Sequence, residues 1–169
     1  LVDGFICSVA ALLAVLEARI EEAKPAAPTP EASQEEDDQM QAARDLLQSV
    51  IDTAPVRIFW KNRDLTYLGC NPLFARDAGR LSPAELVGLT DYEMAWSDQA
   101  ELYRADDRRV MTSGEATLGY EEPQTTPDGK TIWLRTSKVP IRDAAGEVLG
   151  LLGVYEDITE RKQSEERLI

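Results

Sequence analysis

The side chains that most often perform catalysis or bind metals are sparse in this chain of 169 residues. It contains no histidine, the commonest metal ligand and general base, and so it has no proximal histidine for haem. Its two cysteines, Cys7 and Cys70, match no zinc-binding spacing. We interpret them as reduced thiols of a cytoplasmic protein rather than as a disulfide. Carboxylates are therefore the remaining candidates for acid–base chemistry.

Two pairs of neighbouring carboxylates could in principle serve a reaction. Asp106 and Asp107 lie in a predicted helix beside two arginines, and adjacent helical residues point in different directions. We interpret them as a solvated face with local ion pairs. Glu121 and Glu122 lie in a predicted strand, where at most one of them points inward. Neither pair converges on a substrate, and the sequence predicts no catalytic and no metal-binding residue.

The charge balance argues against two classes of partner. The chain carries 18 Lys plus Arg against 31 Asp plus Glu, a net charge of -13. Such a chain is repelled by the phosphate backbone of nucleic acids and by anionic membrane surfaces. We therefore expect no nucleic-acid partner.

The first third of the chain is predicted to precede the folded domain. Residues 1–23 have the apolar spacing of an amphipathic helix, and the fully apolar part, from Phe5 to Leu16, is too short to span a bilayer. The alternative is the end of a truncated membrane helix, which would anchor a longer protein. Residues 24–36 contain three prolines among alanines and predict an extended linker.

A second helix is predicted over residues 37–52. Met40, Ala43, Leu47 and Val50 are spaced three, four and three residues apart, which is the pattern of a coiled-coil seam. The sequence thus predicts a homodimer held by this stripe. The alternative is that the stripe packs on the domain that follows.

From residue 53 the pattern becomes that of an α+β domain, ending near residue 158. The stretch VRIFWKNRDLTYLGCN holds two short strand candidates, and several short helical segments follow. The last part reads as three strands, with Asp128-Gly129 as the strongest hairpin signal. Long strands around compact turns predict an antiparallel sheet.

Three motifs in this order carry a resemblance to a known family. They are YLGCNPLFARDAG, SPAELVGLTDYEMAW and TTPDGKTIWLRTSKVPIRDAAGEVLGLLGVYEDITERK. The chain resembles a PAS domain over about residues 44–162, most like the PAS modules of bacterial sensor histidine kinases. The resemblance implies a five-stranded antiparallel sheet with short helices on one face, flanked by N- and C-terminal helices.

The resemblance also implies a way of passing a signal. Asp157, Ile158 and Thr159 end the last strand and match the family's junction motif. Residues 159–169 would then begin a helix that leads to an output domain in the same chain. Asp157 and Thr159 could accept hydrogen bonds from the free N–H groups of that helix. The alternative is a solvated tail.

The family often binds a small molecule between the inner face of the sheet and the short helices. Strand alternation suggests which residues face that space, although the orientation of the first strand stays open. The candidate ligand-binding residues are Ile58, Trp60, Leu134, Thr136, Leu151, Gly153 and Tyr155. Gly153 would leave room for a ligand or a close helix. A fully packed core without any ligand is the alternative.

The resemblance allows known cofactors to be weighed. Light-sensing flavin modules of this fold carry a reactive cysteine on a central helix, and the corresponding stretch TDYEMAWSDQAELY has none. A noncovalent flavin remains an alternative. The leading hypothesis is a non-catalytic sensory and dimerisation module that senses a small ligand, a redox state or a partner. A ligand-free structural dimerisation module and a flavin-based redox or light sensor are the competing hypotheses.

Overall fold

The computed structural model describes residues 30–168. The amphipathic helix predicted over residues 1–23 lies outside them. The chain divides into two units, residues 1–45 and 46–169. None of the helices within residues 30–168 is long and apolar enough to cross a membrane.

The first described helix, α1 (Pro30–Thr53), is 24 residues long and contains no buried residue. It begins inside the predicted linker over 24–36, seven residues before the helix predicted over 37–52. The physical reason is the position of Pro30. Proline is tolerated in the first helical turn, where its missing N–H would have had no partner. The prediction of an extended conformation up to residue 36 is therefore wrong.

Five strands form one antiparallel sheet, as predicted. They are β1 (Arg57–Asn62), β2 (Tyr67–Cys70), β3 (Thr117–Thr125), β4 (Thr131–Arg142) and β5 (Val148–Asp157). Their order across the sheet is β2-β1-β5-β4-β3. The last strand therefore lies in the middle, between the first strand and the β3–β4 hairpin. Gly129, with φ of 78°, supplies the left-handed residue that the hairpin turn needs.

The chain between β2 and β3 forms short helices. After α2 (Pro72–Asp77) come three 3₁₀ helices, Pro83–Leu86, Asp91–Glu93 and Ser97–Gln99, and then α3 (Ala100–Ser113). Asn71 begins α2, because its Oδ1 accepts a hydrogen bond of 3.1 Å from the N–H of Phe74. The same oxygen accepts from the N–H of Ile58, so Asn71 also fixes the start of β1.

An aromatic cluster joins the helices to the sheet. The ring of Phe74 lies 4.8 Å from that of Phe59 and 5.6–5.9 Å from those of Tyr67, Trp96 and Tyr155. All five side chains are buried. Because aromatic rings bury large apolar areas, this cluster forms the centre of the core. The chain then leaves the sheet through α4 (Thr159–Glu166).

Candidate functional site

A small cavity lies between the inner face of the sheet and the short helices. Its apolar lining consists of Phe59, Tyr67, Phe74, Trp96, Leu134 and Tyr155. Its polar lining consists of Lys61, Asp91, Tyr103, Asp107, Glu122, Gln124, Thr136 and Lys138. The free volume of about 20 Å³ accommodates roughly one water molecule. The cavity is thus an aromatic space with one strongly charged side.

The first strand faces this cavity with the opposite residues from those predicted. Phe59 and Lys61 are buried on the inner face, whereas Ile58 and Trp60 lie on the other face of β1. The prediction of Ile58 and Trp60 as ligand-binding residues is therefore wrong. The alternation of polar and apolar residues could not orient β1, because Ile58, Phe59 and Trp60 are all apolar. The inward residue Lys61 is of a type that is usually exposed.

The other predicted ligand-binding residues divide into two groups. Leu134, Thr136 and Tyr155 line the cavity. Leu151 and Gly153 lie in buried positions of the central strand β5 but are not among the lining residues. The ring of Phe59 occupies the space above Gly153, and an added Cβ would overlap it. The absent side chain therefore makes room for a core aromatic rather than for a ligand.

Four buried charges form a connected network along the polar side. Lys61 Nζ lies 2.6 Å from Asp91 Oδ2 and 2.7 Å from Asp107 Oδ2. Lys138 Nζ lies 2.6 Å from Asp107 Oδ1. All four side chains are at most 3% exposed. Two cations thus neutralise two anions, which is the condition for burying charge at tolerable cost.

The position of Asp107 corrects the sequence interpretation. We expected Asp106 and Asp107 on a solvated face, but only Asp106 lies there, paired with Arg109 at 2.9 Å. Asp107 shares the inner face of α3 with Tyr103 and Val110, four residues before and three after it. Burial opposes its ionisation, but the ion pairs with Lys61 and Lys138 prevail and lower the pKa of its carboxyl.

Asp91 is held by two further donors. Tyr67 Oη donates a hydrogen bond of 2.8 Å, and Trp96 Nε1 one of 3.3 Å, to Asp91 Oδ1. The sequence contained one signal for this network. The alternation that places Leu134 and Thr136 on the inner face of β4 places Lys138 there as well. No comparable signal marks Asp91, which lies in a 3₁₀ helix of three residues.

Strand β3 supplies the rest of the polar side. Glu122 lines the cavity, and burial raises the pKa of its carboxyl. Gln124 is 5% exposed, and its Oε1 has no hydrogen-bond partner. A buried acceptor without a partner is costly, so a donor entering the cavity would be bound there. Glu121 faces the other way, in agreement with the expectation that at most one of the two glutamates points inward.

The predicted junction is joined to β4 by hydrogen bonds. Asp157 Oδ1 accepts from the N–H of Thr159 at 2.9 Å. The N–H of Ile158 donates to the carbonyl of Trp133, and the N–H of Trp133 donates to Thr159 Oγ1, both at 2.8 Å. Thr159 therefore bonds to the neighbouring strand instead of serving as the second cap that we expected. Ile158 is buried at 5% exposure.

Side chains of α4 make a second connection to the sheet. Arg161 Nη2 lies 3.0 Å from Glu121 Oε1, and Lys162 pairs with the other oxygen of the same carboxylate. Lys162 Nζ also lies 4.8 Å from the centre of the Trp133 ring. In β3, Glu121 contacts α4 and the next residue, Glu122, lines the cavity. In β4, Trp133 contacts α4 and the next residue, Leu134, lines the cavity.

The described residues offer neither a metal-binding cluster of side chains nor a reactive thiol. Within residues 30–168, no group of three or more Asp, Glu, Cys or His side chains is placed to hold a metal ion. Burial raises the pKa of the Cys70 thiol to about 11, so the reactive thiolate is scarce at neutral pH.

The sequence of this domain matches a known family. The family model of the PAS fold covers residues 51–163. The chain belongs to the PAS family. The resemblance inferred from the sequence motifs is thereby confirmed, and so is the α+β fold. PAS domains are the sensory parts of signalling proteins.

Curated relatives show where such a domain occurs. Over 122 residues the chain is 32% identical to the aerobic respiration control sensor protein ArcB of Escherichia coli. This alignment covers 72% of this chain and 15% of ArcB. It is also 32% identical over 116 residues to the methanogenesis regulatory histidine kinase FilI of Methanothrix harundinacea, covering 69% of this chain and 13% of FilI. The PAS domain therefore spans only a small part of these relatives.

The fold also matches solved structures. A structure of the VqmA dimer of Vibrio cholerae superposes with a TM-score of 0.63 at 22% identity. The match covers 69% of this chain and 52% of the VqmA chain. At this identity the likeness supports the fold alone.

Proposed function

We propose that this chain is the sensory and dimerisation PAS domain of a bacterial sensor histidine kinase, and that it is not itself catalytic. A change in the cavity would be passed through α4 to an output domain in the same protein. The identity to ArcB and FilI over most of the PAS domain supports the kinase assignment. A cyclic-dinucleotide enzyme is the alternative output.

The observation that carries the relay is the alternation of neighbouring residues in β3 and β4. Glu122 and Leu134 line the cavity, whereas Glu121 and Trp133, their chain neighbours, contact α4. Neighbouring residues of a strand are rigidly connected on opposite faces. A displacement of the strands by a ligand would therefore reach both connections to α4. A ligand can shift this equilibrium only if it binds the two states unequally.

The cavity supports a small polar ligand. Gln124 Oε1 is an unsatisfied acceptor, and Glu122 and the aromatic cluster line the same cavity. The free volume of about 20 Å³ does not fit the ring system of a flavin. A ligand-free structural module stays as the second candidate, because a space of one water molecule is also compatible with a packed core.

Dimerisation would use α1. Leu47 is 63% exposed, Val50 57% and Met40 55%, and Ala43 lies between them on the same stripe. Exposed apolar side chains at this spacing are stabilised when a second helix covers them.

The relay can be tested by NMR on the 169-residue chain. Gln124→Leu removes the unsatisfied acceptor from the cavity and is expected to shift the amide resonances of Trp133, Ile158 and Thr159. Val139→Ala, on the outer face of β4, is the matched control and should leave those three amides in place. If Gln124→Leu shifts only cavity residues, the cavity is not coupled to α4 and the ligand-free structural module is favoured.

A further inference from the structure

A second, larger concavity lies away from the cavity of the PAS core. It is an open groove of about 490 Å³. The groove is lined by the turn between β1 and β2, the end of α3 and the turn between β4 and β5. Three arginines from three different elements line it, namely Arg63, Arg108 and Arg142. It shares no lining residue with the inner cavity. We call it the arginine groove.

The charge of the arginine groove is opposite to that of the whole chain. Three guanidinium groups face one carboxylate, that of Glu147, which leaves two positive charges in excess. The chain as a whole carries a net charge of -13. In such a chain, acidic side chains would be expected to neutralise the arginines. The side chain of Arg63 makes no hydrogen bond or ion pair with the described residues, and that of Arg108 has only an exposed pair with Glu101 at 3.5 Å.

Hydrogen bonds fix the side chain of Arg142 and the backbone turn that carries Arg63. Arg142 donates hydrogen bonds to the carbonyls of Gly114, at 2.6 Å, and Gly146, at 2.7 Å. These two bonds leave other N–H groups of the guanidinium available. The turn that carries Arg63 is fixed by Asn62 Oδ1, which accepts from the N–H groups of Asp64 and Thr66. A rigid support lowers the entropic cost of binding a ligand.

The rest of the lining suggests the shape of the ligand. Met111 and Val148 are half-buried and give the groove an apolar wall, and Thr112 adds a hydroxyl. A volume of 490 Å³ falls in the range of small-molecule sites. Guanidinium groups bind phosphate by pairs of parallel hydrogen bonds, and a phosphate monoester carries about two negative charges at neutral pH.

We propose that the arginine groove binds a small phosphate monoester, with the phosphate between Arg63 and Arg108 and the organic part on Met111 and Val148. This ligand matches the excess of two positive charges and the apolar wall at once. The groove is a second binding site of the chain, independent of the sensory cavity.

NMR titration of the complete chain with phenyl phosphate tests the proposal. Saturable shifts are expected for amides near Arg63, Thr112 and Gly146. Inorganic phosphate should bind more weakly, because it makes no contact with the apolar wall, and phenol should not bind. Arg63→Gln and Arg108→Gln should each weaken phenyl phosphate binding about tenfold, since each removes a charge-assisted contact. Both side chains are exposed, so the spectra without ligand should keep the native dispersion.

Arg109→Gln is the matched control. Arg109 neighbours Arg108 on α3 but is paired with Asp106 and does not line the groove, so phenyl phosphate binding should change less than twofold. Three results would overturn the proposal. They are the absence of saturable shifts at millimolar concentrations, an equal loss of binding in Arg109→Gln, and binding of inorganic phosphate as tight as that of phenyl phosphate.

Discussion

The N–H of Trp133 donates a hydrogen bond of 2.8 Å to Thr159 Oγ1, and this bond joins the third residue of β4 to the first residue of α4. The carbonyl of Trp133 accepts from Ile158 at the same distance. One strand residue therefore holds two consecutive residues of the junction. The next residue of β4, Leu134, lines the cavity, so neighbouring residues of one strand contact the cavity and the start of α4.

Thr159→Val should loosen α4 without unfolding the sheet. The substitution keeps the shape of the side chain but removes the acceptor of the Trp133 N–H. We expect a loss of about 1 kcal/mol in the free energy of unfolding, as for a typical hydrogen bond. Hydrogen exchange at the Trp133 amide should become faster. Thr159→Ser keeps the hydroxyl and should exchange like the parent, and equal rates in both variants would contradict this role of Thr159.

Asp157→Ala should uncouple the sensor from its output. It removes the oxygen that accepts from the Thr159 N–H, at a cost of about 1 kcal/mol, in the range of lost helix caps. The sheet should persist, because the apolar residues of β5 are unchanged. If the proposed kinase output is present in the full-length protein, the measurement is its stimulus-dependent kinase activity, beside a thermal melt of the chain. Asp157→Asn retains an acceptor and should stay regulated, whereas normal regulation in Asp157→Ala would refute a relay through this residue.

Leu47→Glu should weaken the proposed homodimer. Leu47 lies in the proposed seam of α1, and each chain of the dimer would then bury a carboxylate without a partner. Sedimentation at micromolar concentrations should show dimer for the parent and monomer for the variant. Ser49→Glu places the same charge about 200° around the helix and should leave the dimer intact. A parent that stays monomeric at high concentration would exclude this mode of assembly.

The sequence predicted the sheet well and the inner face of β1 badly, for physical reasons. In β3, β4 and β5 the turn residues and the alternation agreed, so Leu134, Thr136 and Tyr155 could be placed toward the inside. In β1 the apolar residues are consecutive, and a lysine occupies an inward position. A lysine in a strand is expected to face solvent, because lysine is rarely buried unless it is paired with a carboxylate.

Those partners could not be found from the sequence. Asp91 and Asp107 are 30 and 46 residues from Lys61 along the chain, and only the fold brings them within 2.7 Å of it. The motifs that identified the PAS domain contain Asp91 and Lys138 but give no sign that the two belong to one network. The boundary of α1 was missed for a simpler reason, because a proline can begin a helix as well as prevent one.

Asp107→Asn should be strongly destabilising. It leaves Lys138 without its carboxylate partner in a buried position, and breaking a buried pair in this way costs about 3–5 kcal/mol. Asp106→Asn, the neighbouring substitution, breaks only a surface pair and should cost less than about 1 kcal/mol. Urea unfolding of the three proteins measures both values. Similar costs for the two variants would show that the network contributes little to stability.

The same residue should contribute to acid unfolding. The ordinary pKa of an aspartate carboxyl is 3.8, and in the folded protein the pKa of Asp107 is lower. Its stabilising contribution is therefore complete above 3.8 and is lost as the pH falls through the folded value. Unfolding free energies measured from pH 6 down to pH 2 should decline for the parent. Asp107→Asn should start lower and show a shallower decline, and parallel curves would argue against this linkage.

Glu122→Gln should make the protein more stable at neutral pH, which is the opposite of the usual effect of removing a carboxylate. Burial raises the pKa of Glu122 above its ordinary value of 4.5. The folded chain thus releases this proton at a higher pH than the unfolded chain, so the free energy of unfolding falls as the pH rises from 4.5 through the folded value. The variant lacks this decline. Its melting temperature should exceed that of the parent at pH 7 and approach it below pH 4.

Glu121→Gln is the matched control for that measurement, one residue away in the same strand. The hydrogen bond from Lys162 and the charges of Lys162 and Arg161 lower the pKa of Glu121, so its contribution to stability is present above 4.5 and is lost as the pH falls through the lower folded value. Glu121→Gln should therefore melt below the parent at pH 7 and converge with it in acid. At pH 7 the change in melting temperature should therefore be positive for Glu122→Gln and negative for Glu121→Gln. The reason is that the Glu122 carboxylate is buried at the cavity, whereas the Glu121 carboxylate is paired with α4. If both variants melt below the parent at pH 7, then the attraction of Lys138 for the Glu122 carboxylate outweighs the effect of burial.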